Sequence, residues 1–371
     1  MSRPVKAAII GAGMISNKAH IPAYLSKAGS IQIAGIFDPN PKAAKSTAER
    51  FNIPSYYIDA EKMLAELKPD LVSVCSPNAY HKTMTELALN HGANVLCEKP
   101  IALTYTDTKE MFDLAAKKNL TLLACQTMRY SDEIQAAHEL AEQGLLGDIY
   151  FSELNMIRRR GVPKWGSFHL RSANGGGAFC DLGVHMIDTA LWIMGNPAFQ
   201  SISGFSADHI TRNERNIITS LTESGTPSSV NLPRPYKPEE FEVEEFAAGS
   251  LRLNNGASIN FKISWALNLP PEFHLSFAGT KAGLRLPELE LYSTLGRYQA
   301  DIKPRIFREG PYSNADFAGH YHLIGELIDY LNGKGSIPVC KEETLNVAAI
   351  IDAFYLSAER KCEVQAKEIT G

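Results

Sequence analysis

The first third of the chain alternates short apolar segments with stretches of helical periodicity, and this alternation limits the possible folds more than any other feature. Strands are predicted at residues 5–10, 31–37, 71–75, 94–97 and 120–125. Helices are predicted between them at 14–28, 41–51, 60–67, 80–91 and 105–117. Near-continuous apolar strands separated by helices are typical of a parallel sheet covered on both faces. Since such crossovers are right-handed, we predict a doubly wound α/β domain.

The pattern changes after about residue 130, where longer segments alternate apolar and polar residues. Strands are predicted at 149–157, 199–207, 242–253, 258–265 and 273–277, and helices at 132–143, 179–194, 316–332 and 342–359. Asn254-Asn255-Gly256 is typical of a hairpin turn, because these residues tolerate positive φ. We therefore predict a second α/β domain at 129–371, with a large, mostly antiparallel open sheet, after a first domain at 1–128. The terminal helices are expected to be able to pack back on the first domain.

Composition excludes several classes of protein. The 371 residues are 44% hydrophobic and 21% charged, which is ordinary for globular domains and sufficient for two cores. A net charge of -4 provides no basic field for nucleic acid or an acidic membrane surface. No segment approaches the ~20 apolar residues of a membrane helix. The six cysteines include no Cys-x-x-Cys pair, which suits a reducing compartment, so we expect a cytoplasmic protein.

A glycine-rich turn, Gly11-Ala12-Gly13-Met14-Ile15-Ser16, follows the first predicted strand. It is a variant of the dinucleotide-binding fingerprint of Rossmann domains. Gly11 permits a tight turn, Gly13 lets the backbone approach a pyrophosphate, and Ser16 is small enough for close helix–strand packing. We predict that Gly11, Gly13, Met14 and Ile15 contact a dinucleotide at the start of the next helix.

Asp38 ends the second predicted strand, where Rossmann domains carry an acidic residue. A carboxylate there accepts hydrogen bonds from the ribose hydroxyls of NAD and repels the 2′-phosphate of NADP. This favours NAD, with NADP still possible. The structural alternative is that Asp38 caps the following helix, since Asp-Pro-Asn-Pro is helix-start chemistry.

Several polar residues follow the carboxyl ends of predicted strands, the edge of an open α/β sheet at which ligands bind. They are Ser76, Asn78, His81, Glu98, Lys99, Gln126 and Arg129. We predict that all except Arg129 contact the cofactor, and that Lys99 and Arg129 contact a substrate. The alternatives are turn chemistry for Ser76 and Asn78 and a solvated side chain for Lys99.

A second group, Asp181 and His185, follows Gly175-Gly176-Gly177. Residues four apart share one face of a helix, so a carboxylate and an imidazole could reach one substrate. The glycines are expected to let the backbone approach a ligand. A surface Asp/His pair and two ligands of a metal are the alternatives. No third and fourth ligand is evident, so we predict no metal.

Taken in order along the chain, these motifs resemble the Gfo/Idh/MocA oxidoreductases, the family of glucose–fructose oxidoreductase and inositol dehydrogenase. The resemblance also includes Val243-Glu244-Glu245-Phe246, Asn255-Gly256-Ala257 and Ser264-Trp265-Ala266, and it covers nearly the whole chain. Ser16 stands where the family has a third glycine.

The resemblance implies an NAD(P)-dependent enzyme that moves hydride between nicotinamide and a secondary hydroxyl or ketone of a sugar, inositol or related polyol. It implies catalytic roles and substrate contacts for Lys99, Asp181 and His185, which we expect to meet in one pocket. It also implies a homodimer or homotetramer. We expect substrate choice to depend on loops 157–172, where Trp165 would stack on a sugar ring, and 212–237. An NAD-dependent glycosidase and a non-catalytic NAD-binding sensor remain the alternatives.

Overall fold

The structure is a computed structural model, and it describes residues 3–215, 217–220, 222–224, 237–306, 312 and 315–371. Most of the predicted loop at 212–237 lies outside these residues. Among the helices that the structure describes, none has the length and hydropathy needed to cross a membrane.

A six-stranded parallel sheet forms in the first third of the chain, where a parallel sheet of five strands was predicted. Its strands are β1 (Val5–Ile10), β2 (Ile31–Phe37), β3 (Tyr56–Tyr57), β4 (Leu71–Val74), β5 (Asn94–Cys97) and β6 (Leu122–Ala124), in the order β3-β2-β1-β4-β5-β6. Its helices are α1 (Ile21–Leu25), α2 (Pro41–Phe51), α3 (Ala60–Leu67), α4 (His81–Asn90) and α5 (Tyr105–Lys117). The two-residue strand β3 is too short to show a periodic pattern and was not predicted.

Local chemistry explains where these elements begin and end. All four residues of β4 are buried, because helices cover both faces of a parallel sheet. The side chain of Asn40 caps α2 by accepting a hydrogen bond from the Lys42 N–H at 3.0 Å, and Pro41 occupies the first turn. Gly92 adopts a φ of 82° just after α4 ends.

A nine-stranded, mostly antiparallel sheet dominates the rest of the chain. Three helices lie among its first strands: α6 (Asp132–Glu142) precedes the sheet, and α7 (Arg171–Asn174) and α8 (Val184–Ile193) follow its first strand. Its strands up to β14 are β7 (Ile149–Ile157), β8 (Phe199–Ala207), β9 (Phe246–Leu253), β10 (Ser258–Ser264), β11 (Glu272–Gly279), β12 (Ala282–Leu286), β13 (Glu290–Leu295) and β14 (Tyr298–Ile302). The last elements are α9 (Ala318–Leu331), α10 (Lys341–Arg360), β15 (Val364–Gln365) and α11 (Lys367–Thr370).

The strand order of this sheet is β14-β13-β12-β11-β7-β10-β9-β8-β15. Among the described strands, β7 and β10 pair in parallel and the other neighbours are antiparallel. The predicted hairpin joins β9 to β10, with Gly256 at a φ of 86°. The edge strand β14 and its neighbour β13 are largely exposed and lack apolar alternation, which explains why the sequence did not indicate them.

One predicted strand boundary is wrong by four residues, whereas the others differ by two residues or fewer. The strand predicted at 242–253 begins only at Phe246, because the backbone of Glu242 and Glu244 hydrogen-bonds to loop residues rather than to a neighbouring strand. Glu244 accepts from Gly177, and Glu245 accepts from Ile210 and Thr211. Both the backbone and the side chains at the start of the segment therefore bond to neighbouring loops.

Contacts between residues divide the chain into two compact units. The first comprises Met1–Tyr130 and Gly310–Thr344, and the second comprises Ser131–Glu309 and Leu345–Gly371. Helix α9 belongs to the first unit, where Leu323 and Leu327 join the core cluster that contains Ile9 and Leu96. In the second unit, Phe179 stacks against Phe354 at a centroid distance of 4.0 Å. That the first domain binds the cofactor and the second binds the substrate stays a prediction.

Two of the glycines before Asp181 are packed against the protein's own atoms, contrary to the expectation that they admit a ligand. A Cβ at Gly176 would lie 1.9 Å from the Tyr355 hydroxyl, and one at Gly177 would lie 1.9 Å from the Glu244 carbonyl oxygen. These two glycines let one chain segment approach another, so their own backbone is not open to a ligand.

Gly177→Ala is expected to destabilise the protein by about 1–3 kcal/mol, because a backbone carbonyl cannot move aside as a flexible side chain can. Gly29→Ala is the matched control, since no described atom lies within 4 Å of its Cβ position. Denaturant unfolding of both variants measures the difference. Equal midpoints for the two variants would contradict the packing described for Gly177.

Candidate active site

The glycine turn after β1 has one closed side and one open side. Gly11 has a φ of 101°, and a Cβ there would lie 2.6 Å from the Cys75 carbonyl oxygen, so the tight turn requires glycine. No described atom lies within 4 Å of a Cβ built on Gly13. Ser16 is fully buried and donates to the Gly13 carbonyl at 2.9 Å, which gives the close packing expected of a small third residue. The open side at Gly13 fits an approaching pyrophosphate.

The helix predicted after this turn contains a π-helical segment, Ser16–His20, that runs into α1. Met14 and Ile15 form the first helical residues ahead of it. Single π-turns are rare and occur frequently at functional sites. Here the segment ends at His20, whose side chain is fully buried.

Asp38 lies beside the glycine turn. One carboxylate oxygen accepts from the Ala12 N–H at 2.8 Å, and the other accepts from the Asn40 N–H at 2.9 Å. The helix cap is Asn40, so the alternative that Asp38 caps α2 is wrong. The half-buried carboxylate remains beside the backbone expected to hold the phosphates, which is where a ribose would be bound.

Two buried polar atoms at the carboxyl edge of the first sheet lack a hydrogen-bond partner among the described residues. They are Ser76 Oγ, after β4, and Gln126 Oε1, after β6. An unpaired buried polar group costs about 1–3 kcal/mol, so a ligand that supplies the missing partners is favoured. Both residues were predicted to contact the cofactor, and their unsatisfied atoms fit that role.

The ring of His81 hydrogen-bonds to the protein backbone, so its nitrogens are not available to a ligand. Its ring nitrogens lie 2.7 Å from the Pro100 carbonyl oxygen and 2.8 Å from the Ser76 carbonyl oxygen. Burial lowers the pKa of His81, so a neutral ring donates to only one of them at a time. The ring links the segments after β4 and β5, which favours a positioning role. Asn78 begins a short 3₁₀ turn, Asn78–Tyr80, that leads into α4.

Glu98 and Lys99 follow β5 directly, and the Lys99–Pro100 peptide is cis. Glu98 is only 7% exposed, and one carboxylate oxygen lies 2.9 Å from His20 Nε2 and 3.0 Å from His320 Nε2. Its other oxygen accepts from the Lys99 N–H at 3.2 Å. The sequence indicated no role for either histidine, because no local pattern connects residues so far apart in the chain.

Arg129 is buried in the same unit, and its guanidinium donates to Glu343 at 2.8 Å. The interaction between these two charged side chains favours a structural role for Arg129. Its predicted contact with a substrate stays a prediction.

In the second unit, Asp181 and His185 share the one accessible strip of an otherwise buried helical segment. Every residue of the stretch from Gly176 to Leu191 is buried except these two. Asp181 lies in a second π-helical segment, Phe179–Gly183, and His185 lies in the first turn of α8. A carboxylate and an imidazole are therefore presented together on a rigid, buried support.

Trp265 fixes the carboxylate of this pair. Its side chain is fully buried, and its indole N–H donates to Asp181 Oδ2 at 3.1 Å. Arg158 is half-buried near the same carboxylate; burial lowers its pKa, while the charges of Asp181 and Glu223 oppose that effect. Trp265 was noted in the sequence only as part of the family resemblance, and nothing local indicated its contact with Asp181.

Glu244 anchors the backbone that carries Asp181. Its carboxylate accepts from the Gly177 N–H at 2.9 Å, the Phe179 N–H at 3.0 Å and the Tyr355 hydroxyl at 3.0 Å. Burial raises the pKa of Glu244, and these donors oppose the rise. A carboxylate at the start of the helical segment satisfies N–H groups that have no partner within the helix.

Trp165 lies half-buried in the second unit, with Phe168 edge-on at a centroid distance of 6.3 Å. Its predicted stacking on a sugar ring stays a prediction. So does the meeting of Lys99, which belongs to the first unit, with Asp181 and His185, which belong to the second.

Comparisons with known proteins agree with these features. Residues 5–125 match the NAD-binding Rossmann-fold domain of the GFO/IDH/MocA oxidoreductase family, and residues 134–285 match a C-terminal domain of the same family. The chain is 31% identical to D-glucoside 3-dehydrogenase of Escherichia coli over 98% of both chains.

Solved structures share the fold. An oxidoreductase domain protein from Kribbella flavida superimposes with a TM-score of 0.82 at 19% identity, covering 98% of this chain and 100% of that one. Levoglucosan dehydrogenase in complex with NADH and L-sorbose gives a TM-score of 0.81 at 19% identity, covering 99% and 100%. The two matching domains and the full-length relative show that the chain belongs to the Gfo/Idh/MocA family of NAD-binding sugar oxidoreductases.

Proposed function

We propose that the protein oxidises a secondary ring hydroxyl of a glycoside or related pyranose with NAD, or reduces the corresponding ketone. The observation that carries the proposal is the paired exposure of Asp181 and His185 on a segment that is otherwise buried. The full-length similarity to a D-glucoside 3-dehydrogenase supports a glycoside as the substrate. Trp165 adds an apolar ring of the kind that packs against the face of a pyranose.

Each catalytic residue has a distinct role in this proposal. His185 acts as the general base on the hydroxyl, since imidazole is the side chain best suited to exchange a proton close to neutral pH. Asp181, held by Trp265, orients the substrate beside that imidazole. Lys99 stabilises the negative charge that develops on the alkoxide. NAD supplies the hydride acceptor when bound.

The test of the proposal is a screen of substrates with NAD and NADP in parallel, using alkyl glucosides, free aldoses, inositols and sugar acids. We expect glucosides to give the highest kcat/KM with NAD, measured from the absorbance of reduced nicotinamide. Preferred turnover of inositols would overturn the glycoside assignment. Cleavage of a glycoside without accumulation of reduced nicotinamide would identify the glycosidase alternative, and tight NAD binding without turnover of any compound would identify the sensor.

Asp38→Asn tests the cofactor assignment. The change keeps the size of the side chain and removes the charge that repels a 2′-phosphate, so we expect the ratio of the Kd for NADP to the Kd for NAD to fall about tenfold or more. Calorimetric titration with both nucleotides measures this ratio. Asp113→Asn is the control, because Asp113 is an exposed carboxylate on α5 paired with Lys109 and Lys341. A ratio that matches the control would remove Asp38 from ribose recognition.

Lys99→Ala is expected to lower kcat by about 10²–10³, the effect of removing one charged donor from a developing oxyanion. NAD should still bind, since the turn and Asp38 are untouched. Lys117→Ala, an exposed lysine on α5, serves as the control. Steady-state kinetics on the best substrate, together with NAD titration, separate the two effects. Near-normal turnover in Lys99→Ala would refute its catalytic role.

Assembly into a homodimer or homotetramer remains a prediction from the family resemblance. One face of the nine-stranded sheet is buried in the second unit; it carries Ile259, Phe261 and Ile263 of β10, and the ring of Phe261 packs against Phe179. The opposite face presents polar residues such as Glu153 and Lys262, which form an ion pair. That face is the surface proposed for contacts between subunits.

A further inference from the structure

A buried carboxylate lies at the end of β5, within a network that the proposed chemistry does not use. Glu98 is 7% exposed, His20 is fully buried and His320 is 5% exposed. The Nε2 atoms of both histidines lie within 3.0 Å of the same oxygen of Glu98. All three residues belong to the first unit, and His320 comes from α9, near the end of the chain.

The hydrogen bonds of this network are complete with a neutral His20. The Tyr24 hydroxyl lies 2.5 Å from Ser73 Oγ, which lies 3.0 Å from His20 Nδ1. If Tyr24 donates to Ser73 and Ser73 donates to Nδ1, then the Nε2–H of His20 donates to Glu98. Burial lowers the pKa of His20, in agreement with a neutral ring. The network therefore supplies donors to Glu98 without requiring a positive charge on His20.

The same donors keep Glu98 ionised. Burial raises the pKa of this carboxyl, but the hydrogen bonds from His20 and His320 outweigh burial and hold the pKa well below its usual value. The nearby thiols of Cys75 and Cys125 do not compete as anions, since burial and the charge of Glu98 raise their pKa values. The structure thus maintains a negative charge inside the domain.

The charge lies at the strand ends that are proposed to hold the cofactor. In the sheet, Cys97 of β5 pairs with Val74 of β4 and with Ala124 of β6. Glu98 therefore lies between the strand ends that lead to Ser76 and Gln126. The buried side-chain oxygens of these two residues have no hydrogen-bond partner among the described residues. Oxidised nicotinamide carries a positive ring, whereas reduced nicotinamide is neutral, so a fixed anion acts on the two forms differently.

We propose that Glu98, held by His20 and His320, is a positioning and electrostatic residue that favours the oxidised over the reduced cofactor without touching it. The inference rests on the proposed cofactor contacts of Ser76 and Gln126. Within this proposal the role replaces the predicted contact of Glu98 with the cofactor, since the hydrogen bonds described for both of its oxygens lie within the protein.

A metal ion is the competing explanation of the same residues. Ligand atoms of His20, Glu98, Cys125 and His320 lie within 4.8 Å of one another, and these residue types bind zinc. The two Nε2–O distances of 2.9 and 3.0 Å are those of hydrogen bonds, whereas ligands of one tetrahedral zinc lie roughly 3.3 Å apart. The existing hydrogen bonds therefore favour the buried anion.

The experiment measures the Kd values of oxidised and reduced NAD, without sugar, for the wild type and Glu98→Gln. Glutamine keeps an oxygen that accepts from both histidines and removes the charge. We expect the ratio of the oxidised to the reduced Kd to rise about tenfold, mainly through weaker binding of the oxidised form. Asp70→Asn is the control: this carboxylate precedes β4, at the opposite edge of the sheet, and should leave the ratio unchanged.

A second pair of variants keeps the test decisive if Glu98→Gln folds poorly. His320→Leu removes one donor and should raise the ratio, whereas His320→Gln can still donate and should restore it toward the wild-type value. An unchanged ratio in both Glu98→Gln and His320→Leu would overturn the inference. So would stoichiometric zinc in the purified wild type by elemental analysis.

The outcomes also separate this inference from the proposed function. If the ratio of the two Kd values shifts but the protein turns over no sugar, only the substrate assignment is wrong. If the variants leave the ratio of the two Kd values unchanged and the protein oxidises glycosides normally, only the role proposed for Glu98 is wrong.

Discussion

A carboxylate buried in a protein must find hydrogen-bond donors, and this constraint shapes the candidate region of each unit. Glu98 is satisfied by His20, His320 and the Lys99 N–H. The two histidines come from helical segments far apart in the chain, so the carboxylate holds the end of β5 against both segments. The residue proposed to stabilise the alkoxide, Lys99, therefore starts from a backbone position that the buried charge holds in place.

The same principle operates independently in the second unit. Glu244 accepts hydrogen bonds from the Gly177 and Phe179 N–H groups and from the Tyr355 hydroxyl. Two of these donors belong to the backbone that leads directly to Asp181, and Trp265 fixes the carboxylate of Asp181 itself. The catalytic candidates are thus presented by rigid backbone, which reduces the reorganisation needed when a substrate binds.

Both candidate regions also contain a π-helical segment. One includes His20, which supports Glu98, and the other includes Asp181. A π-turn adds a residue to a helical turn and so rotates the side chains that follow it. In each case a polar residue in the widened turn reaches a partner from outside the helix, Glu98 for His20 and Trp265 for Asp181. Fully regular α-helices were predicted at both positions, because hydrophobic periodicity does not distinguish a widened turn.

The sequence by itself determined the parallel sheet, its carboxyl edge and the positions of Gly11, Asp38 and Lys99 along it. These features depend on local periods of apolar residues and on turn chemistry, which act over a few neighbouring residues. Only the tertiary structure decided which donors each buried polar group meets. Glu98 pairs with a histidine 222 positions away, and Asp181 pairs with a tryptophan 84 positions away. Such contacts depend on how distant elements pack, and no local pattern in the chain encodes them.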